Sequence, residues 1–354
     1  MSIPKSYLQL SIFVLIFAAA FTSGCNIVKK KDQTAVLLKT EEASKERLLE
    51  EVNRLTRVDS MRAKMDLKFE DNSFAQFGSK EVYRSADGEV VVQRPANILL
   101  KVQVPVLKTD VAQMTSDGAK FRVAILQDGG DGKYKKFLVG TNNADYSKLQ
   151  KDLSAMELGN GKNLKENVNA FASLRPQHFT DAMLVRPIDQ AANIYLQSSI
   201  FQEESDATQG KKSPLRLVTR GYYFLDEFRK DANGDLMISR RFWFDRVGGI
   251  RLARQQIFDA KGEIESDIVY GNEGNLANDP TYAKLPLRIE VTRPKERYKM
   301  SLTYQTPEAV TIGKTYPATA FVLQNSWNLP EVDLDKELTQ ITALQSADGA
   351  NAGK

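Results

Sequence analysis

From Met61 onward the chain alternates: Met61, Ala63, Met65, Leu67 and Phe69 stand between Arg62, Lys64, Asp66, Lys68 and Glu70. This is the period-2 pattern of a strand with one apolar and one wet face. Further strands are predicted over Glu81–Tyr83, Glu89–Gln93, Ile98–Val104, Val111–Thr115, Phe121–Leu126 and Lys136–Val139. The turn signals Ala86-Asp87-Gly88, Arg94-Pro95, Ser116-Asp117-Gly118 and the glycine-rich stretch Asp128 to Gly132 fall between them. Strands joined by tight turns run antiparallel, so this half reads as a meander.

The rhythm breaks from about Asn142 to Glu204, where Tyr146–Leu158 and Gln177–Met183 read as helical or irregular segments. Long hairpins then resume over Leu215–Phe228, Leu236–Asp245, Ile250–Phe258, Ile264–Tyr270, Pro286–Val291 and Tyr298–Tyr304, with a last strand near Ala320–Leu323. Asp231 to Asp235, Arg246 to Gly249 and Asp259 to Gly262 supply the turns. Upstream of the sheet, Val36, Leu37, Leu48, Leu49, Val52 and Leu55 are spaced with Glu and Lys between them. They predict an amphipathic helix within 35–57, strongest in its second half. Its apolar stripe requires a surface to cover.

One more apolar run, Leu10 to Phe21, precedes all of this and is interrupted only by Ser11. As a helix of 12 residues it spans about 18 Å against a hydrocarbon core of roughly 30 Å, which suits a signal-peptide core and not a permanent span. It ends at Phe21-Thr22-Ser23-Gly24-Cys25, and Cys25 is the only cysteine in the chain. The stretch resembles the bacterial lipobox, in which signal peptidase II cuts before a cysteine whose sulfur carries diacylglycerol. Ser23 and Gly24 fit it, and Thr22 departs from the usual leucine. The resemblance implies lipidation at Cys25, with Thr22, Ser23 and Gly24 as the peptidase recognition positions. Two or three acyl chains hold a soluble domain durably on a bilayer. Asn26, where inner-membrane lipoproteins of enterobacteria-like hosts carry aspartate, favours the outer membrane, facing the periplasm.

The expected organisation is therefore a signal peptide over 1–24, a lipidated tether over 25–35, a β domain over 36–325 with a helical insertion near 142–204, and a polar C-terminal tail over 326–354. Of 354 residues, 42% are hydrophobic and 27% charged, the mark of a globular chain with a sizeable core. A net charge of +4 spread among 45 acidic residues gives no reason to expect nucleic acid as a partner. With Cys25 given to the lipid, no thiol is left for a disulfide, a cysteine metal site or a nucleophile.

Chemistry is sparse. The sole histidine, His178, has no second His or Cys to share a metal with and is expected on the surface or in a lid. Asp231-Ala-Asn-Gly-Asp235 opens like a calcium loop, but its glycine falls at the fourth position and Arg240 and Arg241 stand where acids are required. It reads as a hairpin turn. No nucleophile elbow or P-loop occurs, so no catalytic residue, metal or cofactor is expected.

Gln93-Arg-Pro-Ala-Asn-Ile-Leu-Leu-Lys-Val-Gln103, Met114 to Phe121, Arg240-Arg-Phe-Trp-Phe-Asp245, Ile250 to Arg254 and Phe258 to Gly262, taken in that order over about residues 35–325, resemble the LolA/LolB lipoprotein-carrier superfamily and related outer-membrane lipoprotein-sorting proteins. The resemblance implies a mainly β (α+β) fold: a curved antiparallel half-barrel of about eleven strands lidded by a few helices over an apolar cavity. It implies a non-enzymatic role in which acyl chains, free or on another lipoprotein, are bound and transferred or sorted to the outer membrane. The alternatives are a structural or adaptor lipoprotein of an envelope assembly, meeting a protein partner, and an RseB-like envelope-stress sensor.

The residues that would line such a cavity are Met65, Leu67 and Phe69 on the first strand, and Leu100, Val102 and Val104 further on. Phe121, Val123 and Ile125 follow, with Phe242 and Phe244 from the second half. Each is equally a core residue, because the pattern shows which face is apolar and not whether it is filled. A dry, bulky interior favours the adaptor; a cavity of a few hundred Å³ favours the carrier.

Overall fold

The computed structural model describes residues 34–71, 81–82, 86–104, 107, 109–127, 132, 135–144, 146, 176–340 and 342. The leader, the lipobox and Cys25, and the expected helix over Tyr146–Leu158 apart from Tyr146 itself, lie outside the described residues. The chain divides into two compact units, Met1–Leu37 with Glu203–Thr219, and Leu38–Gln202 with Arg220–Lys354. In the first unit, β1 (Val36–Leu37) pairs in parallel with Val218 and Thr219, at the start of β10 (Leu217–Lys230).

The second unit holds the sheet. Its first half comprises β2 (Ser60–Asp71), β4 (Ala86–Gln93), β5 (Asn97–Gln103), β6 (Asp110–Asp117), β7 (Lys120–Ile125) and β8 (Phe137–Thr141), each antiparallel to the next. The second half runs from β10 through β11 (Leu236–Asp245), β12 (Arg251–Phe258), β13 (Ile264–Gly274) and β14 (Leu285–Arg293) to β15 (Tyr298–Tyr304). β15 pairs with β2, Leu302 facing Leu67, so the end of the second half zips onto the start of the first. The short β3 (Glu81–Val82) and β16 (Thr311–Ile312) also pair with β2. Bulges at Val102/Gln103, Glu227/Phe228, Trp243/Phe244 and Ile257/Phe258 bend the strands. The result is an open, curved antiparallel sheet, mainly β as the pattern predicts. Among the described residues it has more strands than the eleven expected, because short segments add to the long ones.

The alternation holds: Met61, Ala63 and Met65 are buried while Arg62, Lys64 and Asp66 are exposed. The apolar face is covered by helices. In α1 (Lys45–Leu55) the Ser44 side chain caps the N-terminus by accepting from Arg47 N, and Leu48, Leu49, Val52 and Leu55 are buried. α2 (Pro176–Met183) lies against β4, β5, β6 and β14 and buries Phe179, Ala182 and Met183.

Several expectations are corrected. Val36 and Leu37 form β1 and are exposed, and the helix starts only at Lys45, after its serine cap. Ala86 to Gly88 belong to β4, not to a turn; Gly88 faces Met65, and a Cβ there would meet the Leu67 side chain at 2.7 Å, so this glycine serves space. Within the segment expected to be helical, Ile194–Ser205 form β9. Ala318–Phe321 is a 3₁₀ turn instead of a strand. In the segment expected to be a tail, β17 (Glu331–Asp333) pairs in parallel with β8, followed by helical backbone over 334–340. The 3₁₀ turn packs on β5 and β6, where Leu323 N donates to Thr115 Oγ1, so this end of the chain covers the outward face.

Candidate binding site

Among the described residues the concave face of the first half is closely packed. Met65, Leu100, Val102, Phe121, Val123, Ile125, Phe242 and Phe244 are buried in one continuous apolar cluster, and Leu67 and Phe69 pack against it half-buried. Val104 is half-buried and outside that cluster. The pattern therefore found the inward face, and the helices fill it: Leu48, Val52, Phe179 and Met183 belong to the same cluster. The cavity at their seam measures ≈ 20 Å³ and is lined by Leu55 of α1, Ala182 and Met183 of α2, and Tyr270, Leu285 and Ile289 of the sheet. That is room for about one water, not for a lipid.

Arginines tie the covers down through main-chain carbonyls. Arg54, at the end of α1, donates to the carbonyls of Ala283 (3.0 Å) and Lys284 (3.1 Å). Arg94, in the turn between β4 and β5, donates to Thr56 O just past α1 (3.2 Å) and to Val185 O just past α2 (2.8 Å). Burial pushes the Arg94 guanidinium down from its ordinary value, against the pull of Asp59.

In the second half the interior turns polar. Glu227 on β10 is opposite Arg240 on β11 and binds it through both carboxylate oxygens. Tyr195 Oη donates to Glu227 Oε2 (2.6 Å) and Ser239 Oγ to Oε1 (2.7 Å). Arg240 also donates to Arg186 O (2.8 Å) and Pro187 O (3.1 Å), tying down the strap that follows α2. Burial pushes the Glu227 carboxyl up, but the Arg240 hydrogen bonds and charge outweigh it and leave it below the usual range. Beside this pair opens a cleft of ≈ 530 Å³, lined by Arg186, Arg229 and Asn193 as well as Asp259 and Glu265. It is mixed in charge and is not an acyl pocket.

His178 sits in α2 as a lid residue but is buried, not on the surface, and its Nδ1 meets the Tyr298 hydroxyl. The turn at Asp231 is confirmed: Asp231 Oδ1 accepts from Asn233 N (2.8 Å) and Asp235 N (2.9 Å), and Gly234 takes a positive φ of 89°. Among the described residues no three His, Cys, Asp or Glu side chains come together as a metal site, and no helix is long and apolar enough to cross a membrane. The pattern missed the inward-facing polar residues Gln255 and Ser266; only strand register, which sets Gln255 between Phe242 and Ile268, reveals their direction.

These features define a class: an antiparallel half-barrel whose concave apolar face is closed by short helices. Three solved structures are similar to this chain at low identity. A LolA superfamily protein from Nitrosomonas europaea matches at 11% identity and TM-score 0.40, over 80% of this chain and 99% of the other. A DUF1329 family protein from Desulfovibrio piger matches at 9% and 0.41, over 79% and 96%. An outer membrane lipoprotein-sorting protein domain from Vibrio parahaemolyticus matches at 12% and 0.35, over 76% and 93%. No family model and no curated protein matches the sequence. At these TM-scores the likeness decides nothing about function, which rests on the side chains above.

Proposed function

We propose that this chain is an envelope lipoprotein, anchored through Cys25 at the periplasmic face of the outer membrane. Its concave interior takes the acyl chains of a lipid or of another lipoprotein for transfer or sorting, without catalysis. The supporting observation is that the largest apolar face of the sheet is covered by two short, separate helices whose seam with the sheet holds the ≈ 20 Å³ void. Lifting α2 opens the apolar face of β4, β5, β6 and β14, and lifting α1 that of β12. Burying some hundreds of Å² of acyl chain there gains on the order of 10 kcal/mol, at about 25 cal/mol per Å², before the cost of opening and ordering.

The close packing of the closed interior favours a second reading, in which the covers never lift and the chain is an anchored adaptor for a protein partner. Native mass spectrometry of the Cys25→Ala full chain from a bacterial periplasm separates the two. A stoichiometric lipid-sized adduct, lost in Val123→Asp with the fold intact by circular dichroism, supports the carrier. A mass that stays bare after phospholipid and acylated peptide are offered rejects it in favour of the adaptor.

A further inference from the structure

Gln255 is fully buried on the inward face of β12, and neither its Nε2 nor its Oε1 has a hydrogen-bond partner. On β13 the Ser266 hydroxyl, also buried, is unpartnered as well. Strand register sets Gln255 across from Phe242 on one side and Ile268 on the other, while Ser266 faces Ile257 one step along the same inward face. The neighbouring Gln256 shows what a satisfied glutamine looks like here: it points the other way, and its Oε1 accepts from the Trp243 indole (3.0 Å).

Leaving a buried amide unpaired costs about 1–3 kcal/mol for each polar atom, and an apolar side chain of the same shape would avoid that cost. Gln255 carries the cost beside Phe242, on the face that the proposed acyl chains would occupy. A polar group held unpaired on a binding face is matched by a ligand that brings the complementary group with it.

We infer that Gln255, assisted by Ser266, is the specificity residue of the interior, pairing with a secondary amide that joins an acyl chain to the rest of its cargo. The C(=O)–NH of an N-acyl group is trans, with its N–H and C=O on opposite edges; Gln255 Oε1 can accept that N–H, the one hydrogen bond an ester cannot supply. An ester offers acceptors alone and would leave the Gln255 Oε1 without a donor. The site therefore favours N-acylated amines over O-acylated glycerol. This assignment rests on the acyl-carrier reading and adds a chemical class to it.

The test uses a matched pair of probes, dodecanoyl methylamide and methyl dodecanoate, which differ at N–H against O. Each displaces a fluorescent fatty acid from the Cys25→Ala full chain. The expected result is that wild type binds the amide about tenfold tighter than the ester, the size of one good neutral hydrogen bond. In Gln255→Leu that ratio falls to one, ester binding is kept, and Tm rises. Equal binding of the two probes by wild type, or an unchanged ratio in Gln255→Leu, overturns the assignment while leaving the carrier standing. Failure of both probes to bind wild type overturns the carrier and the assignment together.

Discussion

Tyr195 and Glu227 are 32 positions apart, yet the tyrosine hydroxyl donates to Glu227 Oε2 at 2.6 Å, and the same carboxylate carries Arg240. One buried acid thus joins β9, β10 and β11, and through Arg240 the strap at Arg186 and Pro187. Glu227→Ala leaves the Arg240 guanidinium buried without its counter-charge. The loss expected is about 3–5 kcal/mol, the range for breaking one side of a buried pair. Urea unfolding, with the midpoint shifting at constant slope, measures it.

The same pair sets an acid limb. Because the folded pKa of Glu227 is lowered from 4.5, the unfolded state binds the proton more readily, and the pair's contribution is complete above that ordinary value. It is lost as pH falls through the lower folded value. Wild type is therefore expected to lose Tm steeply below about pH 4.5, and Glu227→Gln, already weakened at neutral pH, to show a flatter acid limb. Parallel limbs in thermal melts from pH 7 to pH 3 would show that other carboxylates control acid unfolding.

The two covers are predicted to move separately from the sheet. Arg54 fixes the end of α1 through Ala283 O and Lys284 O as well as Glu51. Arg54→Met keeps the stem and removes the donors. It should speed amide exchange across Lys45–Leu55 while leaving β4 to β7 protected, at a cost of about 1–3 kcal/mol for the orphaned groups. If the acyl chains enter beneath α1, the same variant takes up lipid faster than wild type in stopped-flow fluorescence. Uniform deprotection of helix and sheet would mean that cover and sheet open only as one unit.

How much of this was legible in the sequence follows from the period of each element. Met61 to Phe69 could be read because one face is wet and the other apolar, and the hairpins at Asp231 and Asp259 because aspartate and glycine must stand where the backbone turns. β9 escaped because Ile194, Leu196, Ile200 and Phe201 are exposed and Tyr195 alone is buried, too little to impose alternation. β1 and β17 escaped because a strand of two or three residues is made by its partner's register and not by its own pattern. At the site, the apolar lining was visible, but its packing by α1 and α2 depends on contacts far apart in the chain. Gln255 was hidden in Gln255-Gln256, where only pairing tells which amide turns inward.

The tightest packing in the first half yields the last prediction. Gly140 on β8 stands opposite Phe121, and a Cβ at Gly140 would lie 2.7 Å from the Phe121 ring edge and 2.9 Å from the Tyr146 hydroxyl. That ring is fully buried, and the Tyr146 hydroxyl is fixed by Thr141 N (2.7 Å) and by Asp335. Neither neighbour is free to step aside. Gly140→Ala should therefore destabilise by about 1–3 kcal/mol, although alanine suits a strand backbone at least as well as glycine does. Gly140→Ala combined with Phe121→Leu relieves the clash, so the double variant should lose less than the sum of the two single losses. A double-variant cycle by urea unfolding reads the coupling directly. Strict additivity would mean that the Phe121 ring shifts at no cost, and that the face beneath the covers is looser than its packing indicates.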